Sequence, residues 1–254
     1  MVSLRSRLKN KEVTIGTWIT MSDPAVAEIM ARAGFDWVAV DMEHSALSFD
    51  QVQSMIRTVE LSGVPPLVRV MKNDPDLIKR CMDAGAHGVI VPHVNSKEDA
   101  ERAVSAVKYP PLGTRGVGLA RGQRYSLDLD SYLKWNHLES VVIVQVEHIE
   151  AVQNLEEIMG VEGVDGFIVG RYDLSGSLGK PGAFGDPEVQ EALERIGRIA
   201  KKNDYLYGEH SVTTDPREVA KKISEGCRFM GYGVDFLFLG ESCRMGLGAI
   251  REGL

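Results

Sequence analysis

Two carboxylates in the middle of the chain, Glu147 and Asp173, stand just past apolar runs. Val141 to Val146 leads straight into Glu147, and Phe167 to Val169 leads through Gly170 and Arg171 to Asp173. Both runs are short, rich in β-branched residues and bounded by turn or helix signals, the pattern of buried parallel strands. A carboxylate at the end of such a strand is costly to desolvate unless a cation compensates it. Two of them on neighbouring strands point to a hard divalent cation held by oxygen ligands in an open site. Each acid alone has a structural reading as well, Glu147 as the cap of the next helix and Asp173 as the cap of a turn.

The elements that would carry such a pair alternate along the whole chain. Strand signals lie at Thr14 to Trp18, Trp37 to Val40, Pro66 to Val70, Gly88 to Val91, Val141 to Val146, Gly166 to Val169, Tyr205 to Tyr207 and Phe229 to Gly233. Helices are expected between them, several opened by Asp-Pro pairs (Asp23-Pro24, Asp74-Pro75, Asp215-Pro216) that combine a polar cap with proline in the first turn. Strict alternation implies a parallel sheet, and eight units in 254 residues imply one α/β domain, a closed (β/α)₈ TIM barrel spanning the chain. The segment from Tyr109 to Leu138 is long, rich in Gly, Pro and Arg, and reads as a loop with a functional or assembly role. Gly116, Gly118 and Gly122 follow the fourth strand, not the first, so no dinucleotide-binding turn is expected.

Composition narrows the partners. The net charge of -7 and pI near 5.5 argue against nucleic acid or an anionic membrane as the main partner. No apolar run approaches the ~18 residues of a membrane span, and the start, Met1 to Glu12, is charged. Cys81, Cys227 and Cys243 are odd in number and widely spaced. That pattern fits a reducing cytoplasm and neither a disulfide framework nor a zinc site.

In a barrel the catalytic groups gather at the carboxyl ends of the strands. Strand two delivers Asp41, Glu43 and His44; strand three Arg69; strand four His93; strand five Gln145 and Glu147; strand six Asp173; strand seven Glu209 and His210; strand eight Asp235. His93 follows a proline and reads as a solvent-exposed loop residue, whereas His44 arrives with two acids and suits general base work near neutral pH. Arg69 needs an anionic partner, a role that a carboxylate or enolate substrate would fill. The set Glu147, Asp173, Arg69, His44 and Gln145 suits stabilisation of an enolate on a cation. An imine mechanism would want a lysine inside the barrel, and Lys72 and Lys180 are poorly placed for it.

The strings FDWVAVDMEH (Phe35 to His44), PLVRV (Pro66 to Val70), YPPLGTRGVG (Tyr109 to Gly118), VQVE (Val144 to Glu147) and GVEGVDGFIVGRYDLS (Gly160 to Ser175) resemble the HpcH/HpaI family of class II pyruvate aldolases, nearly end to end. The resemblance implies reversible retro-aldol cleavage of a 4-hydroxy-2-oxo acid to pyruvate and an aldehyde. It implies Mg²⁺ or Mn²⁺, with Co²⁺ or Zn²⁺ as alternatives, on Glu147 and Asp173. It also implies His44 as base working with Asp83, Arg69 on the enolate, Gln145 at the substrate, and a hexamer built as a trimer of dimers with exchanged terminal helices. Tyr172 and Asp173 are further candidates for substrate contact. Three features differ from the family pattern. Arg171 stands where proline is typical, the loop after Gly118 is about two residues shorter, and Glu209-His210 stands where an apolar residue is usual. Arg171 and His210 are expected to add polarity near the substrate. A Claisen-type, citrate-synthase-like condensation is the rival activity, and a non-catalytic binding barrel the third reading.

Overall fold

The computed structural model describes residues 2–253. Eight parallel strands close into a barrel in chain order: β1 (Thr14–Ile19), β2 (Trp37–Asp41), β3 (Pro66–Arg69), β4 (Gly88–Val91), β5 (Val141–Val146), β6 (Gly166–Val169), β7 (Tyr207–Ser211) and β8 (Phe229–Val234). Side-chain alternation sorts these strands into two concentric layers. Val38, Val40, Val68, Val89, Val91, Val142, Val144, Val146, Phe167 and Val169 face outward into one buried cluster with the helices. Trp18, Trp37, Ala39, Leu67, Ile90, Val141, Ile143, Ile168, Leu206 and Phe229 fill the interior. The interior aromatic rings lock together, with Trp37 stacked on Phe229 at 4.2 Å and set edge-on to Trp18 at 5.3 Å.

Gly16 makes that packing possible. A Cβ at this position would lie 2.0 to 2.3 Å from atoms of the Trp37 ring. The end of the barrel opposite the strand carboxyl ends is plugged by a helix, Leu4–Lys9, within the charged start of the chain. Leu4 and Leu8 join the interior cluster. Arg5 binds Asp165 at 2.7 Å and two backbone carbonyls at His137 and Leu138. Asp165 also accepts the Val142 amide, and Asp36 the Ile15 amide, so the acids at this end serve the backbone.

Three expectations change. The segment Tyr109 to Leu138 is not all loop, because it holds the helix Leu129–Glu139 behind a short 3-10 turn at Arg121–Gln123. The single helix expected between the fifth and sixth strands is two short ones, Ile149–Gln153 and Leu155–Met159. Strand seven lies later than Tyr205 to Tyr207, so Glu209 and His210 are inside β7 and not beyond its end. Aromatic residues at 205 and 207 outweighed Glu209 and His210 as strand signals, yet pairing with β6 and β8 draws both polar residues into the ladder. The last helix, Asp235–Glu252, leaves Phe236, Leu239, Met245, Leu247 and Ile250 about half exposed or more. Among the described residues no helix is long and apolar enough to cross a membrane.

Gly16→Ala is expected to lower stability by about 1–3 kcal/mol or more through overpacking, read as a fall in the urea unfolding midpoint.

Candidate metal and substrate site

The inward row of each strand continues past the apolar layers and becomes polar at the carboxyl end. On β2 the row Trp37, Ala39 ends in Asp41, and on β3 Leu67 is followed by Arg69. Asp41 and Arg69 are register partners. They form a two-point ion pair at 2.9 and 2.7 Å, with Asp41 2% exposed. Asp41 also accepts the Glu43 amide at 3.0 Å, which turns the chain sharply as it leaves β2. The expected anionic partner of Arg69 is therefore Asp41, a protein group. The third guanidinium nitrogen lies 3.4 Å from Glu43.

On β5 the row Val141, Ile143 continues as Gln145 and Glu147. Glu147 is 3% exposed, touches the Gln145 amide, and accepts the His93 backbone N–H at 2.7 Å. His93 Nδ1 lies 3.2 Å from Glu147, and His93 Nε2 lies 3.7 Å from Glu43. Glu43, His93 and Glu147 thus bring one ligand atom each within 4.8 Å of one another. His93 is exposed, as expected, but it bridges the two buried acids. It does so from a left-handed backbone (φ 56°), the kind of strain that collects at functional sites. Glu43 carries the electrostatic cost. Burial, then the neighbouring charges of Glu147, Asp41 and Asp173, push its carboxyl up to about 7 against the opposing pull of Arg69.

His44 and Asp173 are also brought to this mouth, but less tightly. Both line a cavity with Asp41, Arg69, Gln145, Tyr172 and Phe184. Asp173 is exposed and stands outside the Glu43–His93–Glu147 cluster. His44 is exposed and 4.0 Å from Glu43. Tyr172 packs edge-on against Phe184 at 4.9 Å. Asp83 does not line this cavity. It ends the helix Pro75–Asp83, which descends from the mouth to the far end of the barrel, and there it pairs with Arg115 at 2.6 Å. Asp235 is committed elsewhere, accepting the Thr20 and Met21 amides. His210 stacks on Trp18 at 4.3 Å and meets the Gly233 carbonyl at 2.9 Å. Burial pushes its imidazole down to about 4, so it is neutral near pH 7. The sequence reading gave no role to Glu43 or His93, although Asp41-x-Glu43 and the Pro92-His93 turn both sit at strand ends.

The HpcH/HpaI aldolase/citrate lyase family profile matches residues 14–240. The chain belongs to this family. This family member is 36% identical over 250 residues to a hydroxypyruvate/pyruvate aldolase of Cupriavidus necator, covering 98% of this chain and 92% of that protein. It superposes on an HpcH/HpaI family protein from Burkholderia cenocepacia with a TM-score of 0.92 at 31% identity, covering 99% of this chain and 100% of that one. A crystallised citrate synthase, SbnG, superposes with a TM-score of 0.86 at 28% identity, covering 100% and 99%.

The donor set suits the hard cation that this family would place here. Asp41, Glu43, Glu147 and Asp173 are answered by one guanidinium, and Glu43 Oε2 is buried with no hydrogen-bond donor among the described residues. Gly170 keeps the space open. A Cβ there would lie 2.9 Å from the Glu147 Cβ and 3.0 Å from its Oε2. Gly170→Ala is therefore expected to displace Glu147 and weaken Mn²⁺ binding about 10- to 100-fold, the scale seen when a ligand's support is lost. Calorimetric titration checks this, and an unchanged affinity would show that Glu147 takes no part.

Proposed function

We propose that this protein is a divalent-metal-dependent aldolase, a carbon–carbon lyase that reversibly cleaves a 4-hydroxy-2-oxo acid to pyruvate and an aldehyde. The observation that carries this reading is the surplus of carboxylates around Arg69 at the barrel mouth, in a chain whose relatives include a hydroxypyruvate/pyruvate aldolase. Glu147 and Asp173 would hold the cation, Mg²⁺ or Mn²⁺, with Glu43 adding charge beside them. Bound there, it supplies Lewis acidity for the oxygen of a developing enolate.

The chain's own residues do the rest. Asp41 fixes the Arg69 guanidinium at the mouth, so positive charge is preorganised toward the enolate and costs no rearrangement during reaction. Gln145 touches Glu147 on one side and faces the cavity on the other, orienting both carboxylate and substrate. His44 lies exposed in the same cavity, where it removes and returns the proton at the pyruvate methyl carbon or passes it through water. Tyr172 and Phe184 form an aromatic edge against which the substrate settles.

The dyad of His44 with Asp83 is not assembled within one protomer, since the two lie at opposite ends of the barrel. A neighbouring copy would bring them together. The apolar side chains left exposed on the terminal helix, with Leu119, Tyr125 and Leu127 near the Asp83 end, support a homo-oligomer with exchanged helices. Light scattering is expected to give a hexamer, six times the 27.9 kDa chain mass; a monomer at micromolar concentration would overturn the assembly reading.

The aldolase predicts exchange of the pyruvate methyl protons in D₂O, dependent on divalent metal and abolished by chelator. Glu147→Ala and Asp173→Ala are each expected to lower the exchange rate at least ~100-fold, as for loss of a main electrostatic stabiliser. Exchange that survives both substitutions would falsify the proposal. The likeness to a citrate synthase keeps a Claisen condensation as the second reading. Release of free thiol from an acetyl thioester in the presence of oxaloacetate, without retro-aldol activity, would favour it.

A further inference from the structure

The cavity at the barrel mouth has a volume of about 710 Å³. That falls in the range of about 300–1,000 Å³ for sites that enclose ligands much larger than a three-carbon acid. It reaches Asp41, Arg69 and Gln145 at β2, β3 and β5, and across the mouth it reaches Arg171 and Lys222 beside β6 and β7. Those two cations share one carboxylate. Arg171 makes a two-point ion pair with Glu209 at 2.8 and 2.8 Å, and Lys222 and the Tyr207 hydroxyl also donate to Glu209. The Glu209 side chain is 5% exposed, Lys222 11% and Arg171 33%. Burial alone would raise the Glu209 carboxyl, but Arg171 and Lys222 hold it below the usual carboxylate range.

Within this cluster two positive charges share one buried negative charge, which leaves it a surplus of one cation. Neither Arg171 nor Lys222 has a second carboxylate partner among the described residues. Lys222 can spend only part of its three N–H groups on Glu209, and the Arg171 Nη1 end has no ion-pair partner there. Two further acids line the cavity on this side, Asp173 and Glu218; both are exposed, neither pairs with Arg171 or Lys222, and Glu218 accepts a hydrogen bond from Ser211. A partly desolvated cation pair with unused donors, facing the same space as Arg69, is built to receive an anionic group.

We propose that Arg171 and Lys222 form an anion subsite that binds a carboxylate or phosphate at the far end of the acceptor aldehyde, with Glu209 as the positioning residue that holds both. This inference rests on the aldolase reading. It gives Arg171 and Glu209, two positions where the chain differs from the family pattern, one joint purpose: selecting acceptors by charge.

The test is a ratio of kcat/KM values for matched acceptors, with pyruvate and Mn²⁺: 4-oxobutanoate over butanal, and glyceraldehyde 3-phosphate over glyceraldehyde. The wild-type protein is expected to prefer the anionic member of at least one pair by about tenfold or more, the worth of a charge-assisted hydrogen bond; the pair showing the preference tells carboxylate from phosphate. Arg171→Met and Lys222→Met should each bring that ratio toward one, Arg171→Lys should keep most of it, and Glu209→Gln should lower it, because both cations lose the carboxylate that positions them. A wild-type ratio near one would overturn the inference while leaving the aldolase intact. So would variants that slow charged and uncharged acceptors alike, because that is the mark of a structural brace. If the wild type turns over no aldehyde at all, the aldolase reading itself falls, and the subsite with it.

Discussion

Carboxylate repulsion at the barrel mouth is the constraint around which the rest is arranged. Asp41, Glu43, Glu147 and Asp173 converge on one sector, and Arg69 is the single guanidinium among them. Asp41 takes two of its nitrogens, so Glu43 and Glu147 face each other with little compensation, and the Glu43 carboxyl is pushed up to about 7. Such an arrangement is poor for stability and good for capturing a cation, since unpaired buried carboxylates are relieved when one binds. The strained backbone of His93 and the missing side chain of Gly170 both make sense as accommodations to it.

The barrel supports this imbalance by confining it. Below the polar rim the interior is closed by Trp18, Trp37 and Phe229, and the far end by Leu4 and Leu8. Outside, valines on β2 to β6 seal the strands against the helices. The rim charges therefore project from a rigid, dry base, which holds donors and acceptors in place without reorganisation. Acids at the far end have different work, because Asp36 and Asp165 are tied to backbone amides and to arginines.

Charge is also placed asymmetrically around the mouth. The ends of β2 and β5 carry Asp41, Glu43 and Glu147, whereas the β6 to β7 side sets Arg171 and Lys222 around one buried glutamate, next to the exposed Asp173 and Glu218. In such a field the proposed substrate would have a defined direction, its reacting carbonyl toward the acids and its charged tail toward Arg171 and Lys222. The terminal helix and the Asp83 end of the barrel leave large apolar side chains exposed.

Much of this was legible in the order of residues. The alternation of eight strand and helix signals follows from local periodicity, and it determined the closed barrel. The positions of Glu147, Arg69 and Gln145 at strand ends follow from the same pattern, because a strand's inward row simply continues onto the rim, and His44 follows just past the end of β2. Shared motifs supplied the chemistry expected of them. What the chain order did not contain were contacts between distant segments. Glu43 gained weight only when β2 came beside β3 and near β5, and His93 only when the β4 turn reached across to both acids. Asp83 was separated from His44 by the descent of its helix. Arg171, Glu209 and Lys222 are far apart in sequence and became one cluster through β6–β7 pairing. Local steric and hydrophobic preferences are written residue by residue, so sequence alone determined the scaffold and its polar rim. Electrostatic coupling depends on through-space distance and burial, so only the tertiary structure decided which of those groups act together.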